Sequence, residues 1–184
     1  MKSSFKFVIR DALASDIDAC LAIDHHYETH HVWRMAIQAD NDRWVTTFQK
    51  ERLPYPTQIA HTGNSERLAL SLANDMCFVV AVGKDDPLVF GYLTMRLERI
   101  HRHAIIQDIV VEETFRGRGI GTRLLSIARR WAGEHDARQL MVEVPTKNSP
   151  AIAFLQNRGL RFCGFNDQYF QNQDISVFFG QTLR

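Results

Sequence analysis

The stretch that decides the fold runs from Ile105 to Thr122 and reads IIQDIVVEETFRGRGIGT. It begins as an apolar run typical of a buried strand, interrupted only by Gln107 and Asp108. A short connection follows, and three glycines at alternate positions then precede a helical pattern. Glycine permits positive φ angles and leaves the backbone open to a ligand. Because the N–H groups at the start of a helix bind phosphate oxygens, this turn is predicted to hold a pyrophosphate.

Two common phosphate-binding motifs do not match this turn. A Walker P-loop needs a lysine directly after its last glycine, and none follows Gly121. A dinucleotide-binding fingerprint needs G-x-G-x-x-G directly after the strand, whereas here residues 112–116 intervene and the glycines are Gly117, Gly119 and Gly121. The turn therefore belongs to neither class.

Hydrophobic periodicity on both sides of the turn predicts interspersed strands and helices. An amphipathic helix begins at Ile120, with apolar residues recurring on one face. The pattern predicts a mixed α/β sheet with helices on its faces. Further helices are predicted near 15–25, from Ser65 to Leu72 and over 150–158; strands at Phe5–Ile9, 33–37, 44–48, 76–82, 88–97, 104–111, 139–144, 160–166 and 173–182; and a loop over 54–64.

Composition narrows the function classes. The 184 residues suit one domain, 1–184, and Lys+Arg 22 against Asp+Glu 21 gives a net charge of +1. That balance argues against nucleic acid or an anionic membrane as the main partner. The three cysteines are far apart and form no metal or disulfide pattern, which favours a reducing, cytoplasmic compartment. We expect no metal and no membrane segment, and a monomer or homodimer.

The turn resembles the acyl-CoA-binding motif R/Q-x-x-G-x-G/A of the GNAT N-acetyltransferase superfamily, here Arg116-x-x-Gly119-x-Gly121. The resemblance continues in Asn148-x-x-Ala151-Ile152-x-Phe154. It implies a mixed, mostly antiparallel sheet flanked by helices on both faces. It also implies an amino-terminal strand, helix and substrate-facing region over 5–64, an acetyl-CoA-binding core over 76–166 and a closing strand within 167–184.

Carried over residue by residue, the resemblance implies acetyl-CoA as co-substrate. Asn148 would contact the cofactor near its thioester, although Asn also caps helices well. The backbone of one strand segment would pair with the pantetheine amides, and the turn would wrap the pyrophosphate. The strand residues are Ile109, Val110 and Val111; the turn residues are Arg116, Gly117, Arg118, Gly119, Ile120, Gly121 and Thr122.

The chemistry requires a base that takes the proton of an amine, and a proton source for the departing thiolate. Glu143, on a predicted strand and five positions before Asn148, is the first candidate base, as in several members of the family. Asp108 is the second. Many members place a tyrosine seven positions after the Asn, where this chain has Leu155. Tyr169 is a possible substitute acid.

The acceptor is predicted to be a primary amine of a small molecule or a protein, attacked directly. A segment rich in histidine includes Glu28, which can attract a cationic amine, and aromatic rings nearby can assist through cation–π contact. Tyr27, Glu28 and Trp33 are thus candidate substrate residues. On a helix His26 and His30 would share a face, but no further metal-ligand pattern accompanies them. The alternative function is a catalytically inactive CoA-binding sensor or interaction module of the same fold.

Overall fold

The computed structural model describes residues 6–60, 63–84, 88–170 and 174–183. Phe5 and parts of the predicted turn at 83–87 and of the predicted strand at 173–182 lie outside the described residues. Within those ranges the chain forms, in order, β1 (Phe7–Asp11), α1 (Ile17–Ala22), β2 (Tyr27–Ala39), β3 (Trp44–Ile59), α2 (Ser65–Leu70), β4 (Met76–Gly83), β5 (Val89–Glu98), β6 (His103–Val111), α3 (Ile120–Glu134), β7 (Gln139–Pro145), α4 (Ser149–Asn157), β8 (Arg161–Asn166) and β9 (Ser176–Thr182).

Seven of these strands form one sheet, with the hydrogen-bonded order β1-β4-β5-β6-β7-β9-β8. Strands β1, β4, β5 and β6 pair antiparallel, whereas β6 and β7 pair parallel. The parallel pair follows from the connection through α3, since parallel neighbours need a crossover. The sequence prediction of a mixed, mostly antiparallel sheet flanked by helices is therefore confirmed.

Two compact units make up the chain. The first contains 1–25, 61–142 and 180–184, and the second contains 26–60 and 143–179. The first unit carries the glycine turn and the strands that precede it. The second carries the β2–β3 hairpin, α4 and β8. The organisation of residues 1–184 as a single acetyltransferase domain remains a prediction.

The core of the first unit forms around β4 and β5, which are buried almost throughout. Alternate residues of β4, including Phe78 and Val80, pack with Cys20 and Leu68 of the helices α1 and α2. Because successive side chains of a strand point to opposite faces, the intervening residues face the other way. Helix α3 contacts β4, β5 and β6, and buries Ile120 at its first position. This packing fixes where α3 begins, and thus where the glycine turn lies.

The β2–β3 hairpin differs most from expectation. Strand β3 continues to Ile59, so the predicted loop over 54–64 is wrong for its first half. Its prolines lie where the register shifts between Thr29 and His31, in a segment without regular ladder partners. Proline lacks an N–H and is tolerated at such irregularities and in edge strands. The histidine-rich segment forms β2 from Tyr27 onward and no helix, so the helical spacing of His26 and His30 does not arise.

Candidate active site

The glycine turn of the first unit exposes its backbone. After β6 a short 3-10 turn at Glu113–Phe115 leads to Gly117 and Gly119, with φ angles of 75° and 87°. A Cβ atom built on either glycine meets nothing within 4 Å. Both angles lie in the left-handed region that favours glycine. The residues at these two positions thus shape the turn, and the space in front of them is open to a ligand.

The start of α3 supplies hydrogen-bond donors. Its first intrahelical bond runs from Arg123 N–H to the Gly119 carbonyl at 3.0 Å, and no side chain caps the helix. Within the described ranges, the N–H groups of Ile120, Gly121 and Thr122 have no protein acceptor in the backbone or side-chain hydrogen bonds. Such groups carry the partial positive charge of the helix end. The turn therefore fits a diphosphate, as its sequence predicts.

Arginines flank the turn in two different ways. Arg116 Nε donates to the carbonyl of Val111 at 3.0 Å and thereby ties the turn to β6. The guanidinium of Arg118 lies 5.3 Å from the ring centre of Phe115. Arg116 thus stabilises the turn, in addition to any interaction of its charge with a phosphate.

One edge of β6 is available to an extended ligand. Its parallel pairing with β7 covers His103 to Ile106 only, while its antiparallel pairing with β5 continues to Val111. A register shift opposite Thr94 and Met95 leaves Gln107 as an extra residue in β6. Beyond this bulge, in the described part of β6, no residue pairs with β7. The backbone of Ile109, Val110 and Val111 therefore suits the strand-like pairing that pantetheine amides can make.

Asp108 is buried in the first unit, and both of its carboxylate oxygens are bonded. Arg67 Nη2 donates to Oδ1 at 2.5 Å, and the Thr94 hydroxyl donates to Oδ2 at 2.6 Å. The Asp108 side chain is only 3% exposed. Two charge-assisted hydrogen bonds hold this buried carboxylate in place. The geometry favours a structural tie between β6, β5 and α2 over proton transfer.

Glu143 and Tyr169 come together in the second unit. The Tyr169 hydroxyl donates a hydrogen bond to Oε2 of Glu143. The Tyr169 ring also packs edge-on against Phe178, with ring centres 5.5 Å apart. Glu143 lies in the middle of β7 and is partly exposed, so a substrate can reach it. The two residues that the sequence suggests separately as base and acid thus form one hydrogen-bonded pair.

Asn148 caps α4. Its Oδ1 accepts a hydrogen bond from the N–H of Ala151 at 3.1 Å. This is the capping role that its residue type favours, and a contact with the cofactor remains a prediction. Leu155, at the position where the family often has tyrosine, is 1% exposed in the core. Its side chain offers no proton.

The three candidate substrate residues do not share one surface. Tyr27 and Glu28 are adjacent in β2, so their side chains point to opposite faces. Glu28 is exposed and lies 3.1 Å from Nε2 of His30. Tyr27 is half-buried, and burial, together with the charge of Asp174, raises its pKa. Trp33 lines an apolar cavity of about 320 Å³ in the second unit, together with Phe48, Ile152, Phe162 and Phe179 among others.

Several partners of the site were not found from the sequence. Arg67 and Thr94 bind Asp108 across 41 and 14 residues, and no local pattern signals such pairs. Lys147 forms an ion pair with Asp174, whose side chain is 10% exposed. The sequence signal for this pair is the closing strand: antiparallel pairing of β9 with β7 brings the segment after β7, with Lys147, next to the segment before β9, with Asp174.

Two other kinds of site are absent from the described residues. No group of His, Cys, Asp and Glu side chains there has the arrangement that a metal ion needs. No helix in the same residues has the length and apolar character required to cross a membrane.

Comparison with known proteins gives the family. Residues 33–160 match the model of the acetyltransferase (GNAT) family. A streptothricin acetyltransferase from Streptomyces lavendulae is 27% identical over 175 residues, which cover 92% of this chain and 88% of that protein. The chain belongs to the GNAT family, and it is an N-acetyltransferase that uses acetyl-CoA.

Solved structures share the fold. A nourseothricin acetyltransferase superposes with a TM-score of 0.81 at 22% identity, covering 97% of this chain and 99% of that one. A streptothricin acetyltransferase from Bacillus anthracis str. Ames, solved in complex with acetyl coenzyme A, superposes with a TM-score of 0.78 at 18% identity. The superposition covers 96% of this chain and 99% of that one. At these identities the likeness concerns the fold. The prediction of a GNAT fold is confirmed.

Proposed function

We propose that this enzyme transfers the acetyl group of acetyl-CoA to a primary amine of a small molecule by direct attack of the amine. The name of its Streptomyces lavendulae relative, which denotes acetylation of the small molecule streptothricin, supports a small acceptor. Bound acetyl-CoA supplies an activated thioester carbonyl. The turn from Gly117 to Thr122 would hold the diphosphate, and the backbone of 109–111 would hold the pantetheine arm.

The hydrogen bond between Tyr169 and Glu143 is the observation that carries this proposal. An amine with a pKa of about 10 is mostly protonated at neutral pH, so it must lose a proton before it attacks. Glu143 is the group that would accept this proton. Tyr169 would give its own proton to the departing sulfur and recover one from Glu143. The ammonium loses two protons in all: one reaches the thiol through Glu143 and Tyr169, and the other passes to water as the tetrahedral intermediate becomes the amide. Both side chains then return to their starting states.

The cysteines support direct attack over a covalent enzyme intermediate. Burial raises the pKa of Cys20 and of Cys77 to about 12, so both thiols remain protonated near neutral pH. Burial also raises the pKa of Cys163. The thiolate is the nucleophilic form of cysteine, and none of these three environments promotes it.

Asp108 is the weaker candidate base. Its two oxygens already accept hydrogen bonds from Arg67 and Thr94, and its side chain is only 3% exposed, so a substrate amine has little access to it. Glu143 is partly exposed and accepts a hydrogen bond from the phenol of Tyr169. This difference supports Glu143 as the base.

One observation favours the alternative of a CoA-binding sensor without turnover. Leu155 is buried where a tyrosine often serves as the acid in this family. Turnover therefore requires Tyr169 to donate the proton to the departing thiolate in place of a tyrosine at position 155.

A thiol-release assay over a library of amines separates the two functions. We expect acetyl-CoA to be consumed only in the presence of particular small amines, and Tyr169→Phe to lower kcat about 10²-fold or more without changing KM for acetyl-CoA. A thermal shift with CoA serves as the binding control, since a ligand at about 100 times its Kd stabilises by about 2.7 kcal/mol. A shift without turnover on any amine would favour the sensor. Acetylation of protein amines alone would contradict the small acceptor.

A further inference from the structure

Polar residues at the ends of β7 and β9 take no part in the proton transfer. The N–H of Thr146 donates to the carbonyl of Ile175 at 3.0 Å. One residue further along each segment, Lys147 and Asp174 form an ion pair. These contacts fix an antiparallel register, because the partner number falls as the strand number rises.

The same register, extended back along β7, reaches the proposed base Glu143. Counting back along β7 places Glu143 opposite Phe178, and both residues contact Tyr169. Since side chains alternate along a strand, Ser176 lies on the same face of β9 as Phe178, and Asp174 lies two residues before it in the chain. Four residues at roughly 3.4 Å each set an upper limit of about 14 Å on the distance between the backbone at Glu143 and that at Lys147, which lies in the turn after β7. We call this row the polar strip; its members are Glu143, Tyr169, Ser176, Lys147 and Asp174.

The centre of the polar strip has an unmet hydrogen-bonding group. Ser176 is 0% exposed, and its hydroxyl has no hydrogen-bond partner among the described residues. A buried hydroxyl in that state costs free energy, which a polar group of a ligand would recover.

The far end of the polar strip has the properties of a cation site. The Asp174 side chain is 10% exposed, whereas that of Lys147 is 50% exposed. A buried carboxylate needs a cationic partner, but an ammonium on a flexible stem can return to water at little cost. After burial, the charge of Asp174 is the second cause of the raised pKa of the Tyr27 hydroxyl.

We propose that Asp174 binds a second cationic group of the acceptor, which displaces Lys147, while the reacting amine lies at Glu143. This inference rests on the proposed function and narrows its substrate class to diamines and longer oligoamines. The two charged groups of the acceptor are separated by about 14 Å or less, the upper limit for the length of the polar strip at roughly 3.4 Å per residue. Lys147 occupies the cation position when no acceptor is bound.

Binding to the CoA complex tests the proposal without requiring turnover. A homologous series of α,ω-diaminoalkanes, and n-alkylamines of equal chain length, are titrated calorimetrically into protein saturated with CoA. We expect the best diamine to bind more tightly than its matched monoamine. Asp174→Asn should weaken the diamine about 10- to 100-fold and leave the monoamine unchanged, as loss of a charge-assisted hydrogen bond predicts.

A second variant has the opposite expected sign. Lys147→Met removes the competing ammonium, so the diamine should bind several-fold more tightly. Glu51→Gln is the matched control, because Glu51 pairs with Arg34 on the hairpin of the same unit and is exposed. It should change neither affinity. Thermal unfolding of each variant checks the fold.

The outcomes separate this inference from the proposed function. Equal effects of Asp174→Asn on both ligand classes, or no preference for diamines, overturn the inference and leave N-acetylation of monoamines intact. Binding of diamines that depends on Asp174, without acetylation of any amine, supports the cation site and contradicts the proposed function. Should Asp174→Asn fail to fold, Lys147→Met decides, and the absence of tighter diamine binding then overturns the inference.

Discussion

Asp108 and Glu143 are both single carboxylates within largely apolar strands, yet their surroundings differ sharply. Asp108 in the first unit is 3% exposed and bonded through both oxygens to Arg67 and Thr94. Glu143 in the second unit is partly exposed and accepts a hydrogen bond from Tyr169. A buried carboxylate with donors on both oxygens stabilises structure, whereas a partly exposed one is accessible to the amine of a substrate. Local sequence does not distinguish the two, but their partners do.

The largest expected effect comes from exchanging the two carboxylates for amides in turn. Glu143→Gln should lower kcat about 10²- to 10⁴-fold, because an amide cannot accept the proton of the amine. Asp108→Asn should lower kcat less than about tenfold. Thiol release measured across pH with an identified acceptor checks both. If Glu143→Gln keeps the rate and pH profile of the wild type, the comparison fails and the base is Asp108 or water.

The next effect concerns Gly119 in the cofactor turn, for which Gly159 serves as a matched control. Gly119 and Gly159 have φ angles of 87° and 83°, and a Cβ on either meets nothing within 4 Å. Replacing either glycine by alanine should therefore lower the free energy of unfolding by about 1–2 kcal/mol, which is the strain of a non-glycine residue in the left-handed region. Only Gly119→Ala should also raise KM for acetyl-CoA, by about tenfold or more, through disturbed phosphate bonding. Equal KM values in the two variants would argue against diphosphate binding at this turn.

Sequence predicts most of what local patterns encode. The alternating glycines of the turn, the amphipathic α3 and the buried β4 all have periodicities that single elements show on their own. The contact of Tyr169 with Glu143 depends on how β9 pairs with β7, and the tie from Arg67 to Asp108 spans 41 residues. Such pairings follow from tertiary packing, which no local pattern contains.

The β2–β3 hairpin also shows that local patterns do not determine tertiary pairing. Prolines in β3 favour a loop by local propensity, but the strand continues past them because they lie in an irregular part of the ladder with β2. The position of that irregularity depends on β2, far from the prolines along the chain. Proximity in sequence groups the candidate substrate residues Tyr27 and Glu28, but strand alternation places their side chains on opposite faces of β2.

A third effect measures the structural role of Asp108 directly. Asp108→Asn should lower the free energy of unfolding by about 1–3 kcal/mol, since a charged hydrogen bond to Arg67 is lost. Arg67→Met should cost a comparable amount, and the double variant should cost less than the sum of the two because the partners interact. Urea unfolding of the three variants gives the coupling. Additive losses would show that the contact contributes little and would weaken the contrast with Glu143.

The smallest effect extends the comparison to a second ion pair of the first unit. Hydrogen bonding from Arg10 is the main cause of the lowered pKa of Asp16, whose ordinary value is 3.8. A lowered pKa in the folded state adds stability at pH values above 3.8, and this stability is lost as the pH falls through the lowered pKa. Asp16→Asn should thus be less stable than the wild type near neutrality, and the two should converge in acid. The difference should be about 1 kcal/mol or less, because the Arg10 side chain is 41% exposed and screened by water. Thermal unfolding at a series of pH values checks this, with Glu51→Gln on the exposed hairpin pair as the control, and a difference that persists unchanged in acid would contradict an ionic origin.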